Sequence, residues 1–197
     1  MPKKRAKVEA KDSIISAALE LIKRRGADGV TVEGVAKAAG CAKGLVHYHF
    51  KTKRGLLEAV AQSLAGVREV NWAKAFRAPT PKDAIDRSWM LLTTESGDGS
   101  IRAWTSLFGS SSILPDQTVR ASLTGFSLAL GKAVDRMFRD LGLQPRVPPS
   151  EIGWLLGAVV NGMGLQILGG ADRHELEGAY AAAWLGILSL ATPPAYR

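Results

Sequence analysis

Two histidines, His47 and His49, bracket Tyr48 inside the segment KGLVHYHFKTK, residues 43–53, which also carries Lys43, Lys51 and Lys53. Two chemistries suit such a cluster. Imidazoles can ligate a metal, and lysines interleaved with hydrogen-bonding rings can meet a polyanion. Helical geometry separates the two readings. At 3.6 residues per turn, positions i and i+2 point about 200° apart, whereas zinc-binding helices place ligands at i, i+3 or i, i+4. His174 is remote in sequence, and no cysteine or acidic cluster joins the pair. No metal site is expected, and the polyanion reading is favoured.

Catalytic patterns are missing as well. The sequence holds no G-x-S-x-G, no G-x-x-x-x-G-K-[ST] and no G-x-G-x-x-G opening a helix, so no nucleophile elbow or phosphate cradle is recognisable. Gly162-x-Gly164 lacks the third glycine and lies within an apolar run. The expectation is a protein that is not an enzyme and needs no cofactor. Cys41 is the one cysteine. An internal disulfide is therefore impossible, and the residue reads as a small apolar filler instead of a redox sensor.

Charge is distributed unevenly over the 197 residues. Residues 1–55 hold 13 Lys+Arg against 5 Asp+Glu, whereas residues 56–197 hold 13 of each sign. The whole net charge of +8 thus lies in the first quarter of the chain, as expected of a surface that meets nucleic acid or an anionic membrane. All five tryptophans, at 72, 89, 104, 154 and 184, lie outside that quarter. Two domains follow, 1–55 and 56–197. No signal peptide is recognisable at the N-terminus. The most apolar run, Ile152–Leu168, is interrupted by Asn161, Gln166 and glycines and reads as a buried helix, not a bilayer span. A cytoplasmic protein without a membrane partner is expected.

The elements that must position the basic cluster are helical. Residues 2–7, PKKRAK, read as a flexible arm that grips phosphates. A first helix over about Lys11–Arg25 has Ile15, Ala18, Leu19 and Ile22 on one stripe. A second, capped by Thr31, ends near Ala39-Gly40. A third covers Lys43–Phe50, and a fourth, capped by Thr52, continues through Leu57, Val60, Leu64 and Val67 towards Phe76. Two short helices joined by a tight Gly-containing turn and leaning on a preceding helix make a helix-turn-helix. With Val46 and Phe50 facing inward, the outer side of the third helix carries Gly44, His47 and Tyr48. Lys43 there can reach a base edge or a phosphate, and Lys53 opens the fourth helix, where free backbone N–H groups favour a phosphate.

Beyond Pro79 the pattern stays helical. Thr80-Pro81 opens a helix with Ile85, Trp89 and Leu92 as its stripe. Ser100 starts a short helix, residues 110–114 read as loop, and Pro115 opens a long helix through Phe126 and Met137. Ser150 caps an apolar helix, and Asp172 caps the last. The expected class is all-α, with about nine helices and no sheet.

Residues 31–53, T-V-E-G-V-A-K-A-A-G-C-A-K-G-L-V-H-Y-H-F-K-T-K, resemble the DNA-binding signature of the TetR family of bacterial transcriptional regulators. The match covers about residues 12–60. The resemblance implies an N-terminal three-helix DNA-binding domain and a C-terminal helical domain for ligand binding and dimerisation. It implies a homodimer, joined through the last two helices, that binds double-stranded DNA at a palindromic operator and usually represses. By position, Thr31 would contact phosphate, and Lys43, Gly44, Leu45, His47, Tyr48 and His49 would form the recognition surface. Lys53 would be the clamp at the fourth helix. Ala42, Leu45 and His47 stand where Ser, Thr or Ser, and Tyr are frequent in the family, so no known operator transfers to this chain.

In the C-terminal domain, Trp89, Trp104, Phe108 and Phe126 are core residues by default, and some of them can also line a mostly apolar pocket for a small, largely apolar effector. Asn161 and Gln166 are further candidates, since polar groups on an apolar helix must find partners. Gly153, Gly157, Asn161 and Gly164 recur at three- or four-residue steps and would permit close helix contact, within the chain or across a dimer. A different class of protein, a non-specific or architectural DNA binder whose helical domain only dimerises, is the alternative. A short protected palindrome separates the first reading from the uniform binding expected of the second.

Overall fold

The computed structural model describes residues 2–109 and 113–193, with side chains from Val8 onward. Among them the chain forms nine α-helices: α1 Pro2–Arg25, α2 Val32–Ala38, α3 Lys43–Phe50, α4 Lys53–Ala75, α5 Pro81–Gly97, α6 Ser100–Phe108, α7 Asp116–Asp140, α8 Pro149–Leu168 and α9 Arg173–Leu188. The all-α expectation holds, with one small addition. Gln144–Pro145 (β1) pairs antiparallel with Ala191–Thr192 (β2), and Arg146 N donates to Leu190 O at 2.7 Å. Two residues are too few to show the alternation that marks a strand.

The chain packs as two units. The first comprises Met1–Ala65 and Asp98–Ser122, the second Gly66–Gly97 and Leu123–Arg197. In the first, α1 is longer than expected. Its backbone is helical from Pro2, so the flexible-arm reading of 2–7 is corrected. Proline suits the first helical position, where its missing N–H would have no partner anyway, and Lys, Arg and Ala propagate a helix well. Ile14, Ala18 and Ile22 form the buried stripe, while Ile15 and Leu19 are half-buried. Thr31 caps α2, its Oγ1 accepting from Gly34 N at 3.0 Å. The turn into α3 uses Gly40 at φ +64°, a left-handed conformation that glycine adopts freely. A Cβ there would meet nothing, so Gly40 acts through its conformation and not by giving the helices room.

Helix α6 is anchored on the end of α1. Ala27 N donates to Ser106 Oγ at 3.2 Å, and Arg102 donates to Arg24 O at 3.2 Å. Lys23 pairs with Asp98 at 3.3 Å. Gly99, at φ +85°, brings the backbone so close that a Cβ would lie 2.6 Å from Lys23 O. Of the loop expected at 110–114, residues 110–112 lie outside the described residues; Ile113 and Leu114 are turn and bend.

In the second unit the buried faces are Trp72 and Ala75 of α4 with Phe76 just after it, Ala84, Ser88, Leu92 and Glu95 of α5, Phe126, Leu130, Val134, Met137 and Phe138 of α7, and Leu176, Tyr180, Trp184 and Ile187 of α9. Two expected stripes are off by one position. Val67 is 53% exposed, and Arg68 takes the buried place between Leu64 and Trp72. On α5, Trp89 is half-buried and Ser88 is inside.

Helix α8 starts at Pro149, with Pro148 at the cap and no side-chain cap bond, so Ser150 is not its cap. Nor is α8 buried all round. Ile152, Gly153, Leu156, Gly157, Val160 and Met163 face inward, while Trp154, Leu155 and Leu165 are 49%, 46% and 61% exposed. The inward glycines serve contact within the chain: a Cβ on Gly153 would sit 2.1 Å from Ser127 O and 2.8 Å from Gly131 N of α7. By length and composition α8 could cross a bilayer, a property shared by core helices of soluble proteins.

Candidate nucleic-acid interface

The surface of α3 follows from what the helix buries. Val46 and Phe50, one turn apart, are 1% and 7% exposed. That anchors one face of an eight-residue helix and leaves Lys43, Gly44, Leu45, His47 and Tyr48 outward. Ala42 precedes the helix without a side-chain cap bond. Gly44 has neither a positive φ nor any neighbour that a Cβ would strike. Nothing inside the fold requires glycine there, and the open backbone leaves room for an external partner.

The two histidines part company. His49 is half-buried, edge-on to Tyr48 at 5.2 Å and tilted against Phe50 at 6.0 Å. His47 is exposed, and its Nδ1 lies 3.2 Å from Lys51 O. Lys51 closes α3 at φ +63°, a region costly for a residue with a side chain. Its Nζ lies 5.6 Å from the centre of the Tyr48 ring.

Thr31 sits at the exposed N-cap of α2. Lys53 is the first residue of α4 and donates to Asp28 O at 3.4 Å. Thr52 Oγ1 accepts from Gly55 N at 3.0 Å, the capping role read from sequence. Lys53 and Arg54 border an open cleft of about 270 Å³ with Ala27, Asp28, Leu57 and Ile113. Arg54 was not singled out from sequence, although its place in the first turn of α4, next to Lys53, was visible there.

The candidate effector residues fall in both units. Trp104 and Phe108 pack together on α6 of the first unit, ring centres 4.2 Å apart. The others belong to the second unit. Trp89 lies against Tyr180 at 5.5 Å, and Gln166 is exposed on α8. Phe126 and Asn161 converge on Arg68. The guanidinium lies 4.6 Å from the Phe126 ring centre and donates to Asn161 Oδ1 at 3.4 Å.

Sequence reasoning missed the group at the centre. Arg68 is 1% exposed and Glu95 5%. Arg68 Nη2 and Nε reach Glu95 Oε2 at 2.9 and 3.0 Å, and Trp72 Nε1 donates to Glu95 Oε1 at 3.2 Å. A carboxylate and a guanidinium survive burial only when paired and hydrogen-bonded in this way. The signal was present: Leu64, Arg68, Trp72 and Phe76 run at four-residue steps, placing a charge inside an apolar stripe.

The comparisons with known proteins bear on the segment that carries α3. Residues 14–60, which span the α1–α3 core and the start of α4, match the family described as "Bacterial regulatory proteins, tetR family". Over those residues the chain carries the DNA-binding domain of the TetR family. It is a DNA-binding transcriptional regulator with a helix-turn-helix. It is 25% identical over 171 residues to the HTH-type transcriptional regulator BetI of Escherichia coli strain K12 / DH10B, covering 84% of this chain and 86% of that protein. A TetR-family transcriptional regulator from Rhodococcus sp. shares the fold at a TM-score of 0.74 and 20% identity, covering 93% of this chain and 98% of that one. SmeT, solved as a complex with triclosan, shares it at 0.66 and 20% identity, covering 96% and 99%.

Proposed function

We propose that this TetR-family protein is a repressor that binds a palindromic operator as a homodimer and is released by a small apolar or amphipathic effector. The observation that carries the DNA-reading part is the outward face of α3, held rigidly by buried Val46 and Phe50. Lys43 offers a donor to guanine O6 or N7, Gly44 admits close approach, and Leu45 can meet a thymine methyl. His47, Tyr48 and His49 complete that surface. Thr31 and Lys53, at the starts of α2 and α4, hold phosphates, where helix N-termini favour an anion. Residues 1–55 are the reading domain and 56–197 the domain for effector and dimer contacts.

Two further observations support the finer claims. Trp154, Leu155 and Leu165 of α8 and Leu185 of α9 form exposed apolar surface, Leu185 at 69%; a two-fold contact through the last two helices would cover them. The dimer then sets two reading helices about one DNA turn apart, roughly 34–36 Å. SmeT's capture of triclosan supports an apolar effector, with Trp89, Phe126 and Asn161 of the second unit as its candidate contacts. Helix α4 contributes to both packing units, so an effector that prefers a different setting of α4 shifts the population away from the DNA-bound state. The protein acts in the bacterial cytoplasm, on the nucleoid when bound.

Lys43→Ala combined with Tyr48→Ala tests the reading surface. Operator binding in gel shifts is expected to be lost while sedimentation still reports a dimer. Unchanged affinity removes the assignment of α3.

A further inference from the structure

We infer that His47 is a base-reading residue of one hydrogen-bonding sense: it presents a bare ring nitrogen that accepts from an exocyclic amino group, N6 of adenine or N4 of cytosine. The inference rests on α3 being the helix that enters the major groove.

A backbone carbonyl can only accept. The 3.2 Å contact between His47 Nδ1 and Lys51 O therefore places the proton on Nδ1. In the neutral ring the other nitrogen, Nε2, is then a lone-pair acceptor. Phosphate oxygens also only accept, so neutral His47 held this way has nothing to donate to the DNA backbone. In the major groove the groups that donate are the amino groups of adenine and cytosine. The same contact that fixes the tautomer thus turns the residue from a phosphate holder into a selector of bases.

A second observation makes the contact part of the fold. Lys51 adopts φ +63°, a conformation that persists only where its surroundings over-determine it. His47 holds that residue on both sides: its carbonyl accepts Lys51 N–H at 2.9 Å, and its ring donates to Lys51 O. The ring is thereby oriented by the turn between α3 and α4, while its exposed position on α3 leaves Nε2 free to meet a base edge.

The test uses the full-length protein in two measurements. Nitrogen-15 NMR of the free wild-type chain at about pH 8.5, to keep imidazole uncharged, should show His47 as the Nδ1–H tautomer; the Nε2–H tautomer overturns the inference. Binding sites are then selected from a random DNA pool. In one half-site, a selected adenine or cytosine is replaced by purine or pyrimidin-2-one, which lack the amino group. Wild-type affinity should fall about tenfold, the scale of one lost base-specific hydrogen bond, and His47→Phe should show no further fall. The position that responds says whether adenine or cytosine is read. If no amino deletion affects the wild type, or if His47→Phe loses as much, His47 does not read an amino group while α3 can still be the reading helix. If the protein selects no sequence at all, the inference falls together with the reading on which it rests.

Discussion

The outward face of α3 and the interior of the second unit both depend on cations beside aromatic rings, yet the two use them oppositely. On α3, Lys43 stays in water and Lys51 lies over the exposed ring of Tyr48. Their charges cost little to keep and remain available to a polyanion. In the second unit, Arg68 lies over Phe126 and is closed off by Glu95, Trp72 and Asn161. Its charge is spent on holding α4, α5 and α8 together. Burial therefore decides what a cation does here: exposed ones recognise, enclosed ones build. Removing an exposed cation should affect binding and spare stability, and removing a partner of the enclosed one should do the reverse.

The largest effect is expected at Glu95. Glu95→Ala strands the Arg68 guanidinium in the interior and should cost about 3–5 kcal/mol in chemical denaturation. Adding Arg68→Met should restore most of that loss, because a buried pair exchanged for apolar side chains is near neutral. A loss below about 1 kcal/mol would mean that the pair is reached by water. A smaller effect comes from Tyr180, whose hydroxyl donates to Ser88 Oγ at 2.8 Å. Burial pushes its pKa from 10.0 up to about 12, with the Ser88 hydrogen bond partly opposing. Below pH 10 both folded and unfolded chains keep the proton and the contribution is whole. As pH rises from about 10 to 12 the unfolded chain ionises first, so stability falls, by about 2–3 kcal/mol when the folded phenol also ionises. Tyr180→Phe should flatten that alkaline limb. The smallest structural effect belongs to the first unit: Thr31→Ala removes the α2 cap and should cost roughly 1 kcal/mol. Its DNA affinity should fall as well, which separates a cap that also touches phosphate from one that only ends a helix.

The same contrast explains what could be read from sequence. The helix-turn-helix was legible because its signals are local: Thr31 before an apolar run, Gly40 at the turn, Val46 and Phe50 one turn apart, and a charge excess confined to one segment. The interior of the second unit was less so. A stripe through Val67 and one through Arg68 differ by a single position, and an apolar residue is the usual guess. Whether an arginine can turn inward depends on Glu95, on another helix, which no window of sequence contains. Helix α8 failed for a related reason. An apolar helix looks the same whether its second face meets its own chain or another, and its glycines at 153 and 157 proved to fit α7. The start of α1 was misplaced because basic composition suggested an arm where helix propensity was equally good. On α3, the His47 tether to Lys51 was invisible because it depends on a backbone turn, not on residue type.

The central property of this protein is sequence-selective DNA binding. A footprint of the full-length protein on fragments carrying its selected sites measures it most directly. The expected result is one short protected stretch with two-fold symmetry, lost as salt is raised and lost in the Lys43→Ala, Tyr48→Ala variant. Even protection along the fragment, with no preferred site at any salt concentration, would contradict it.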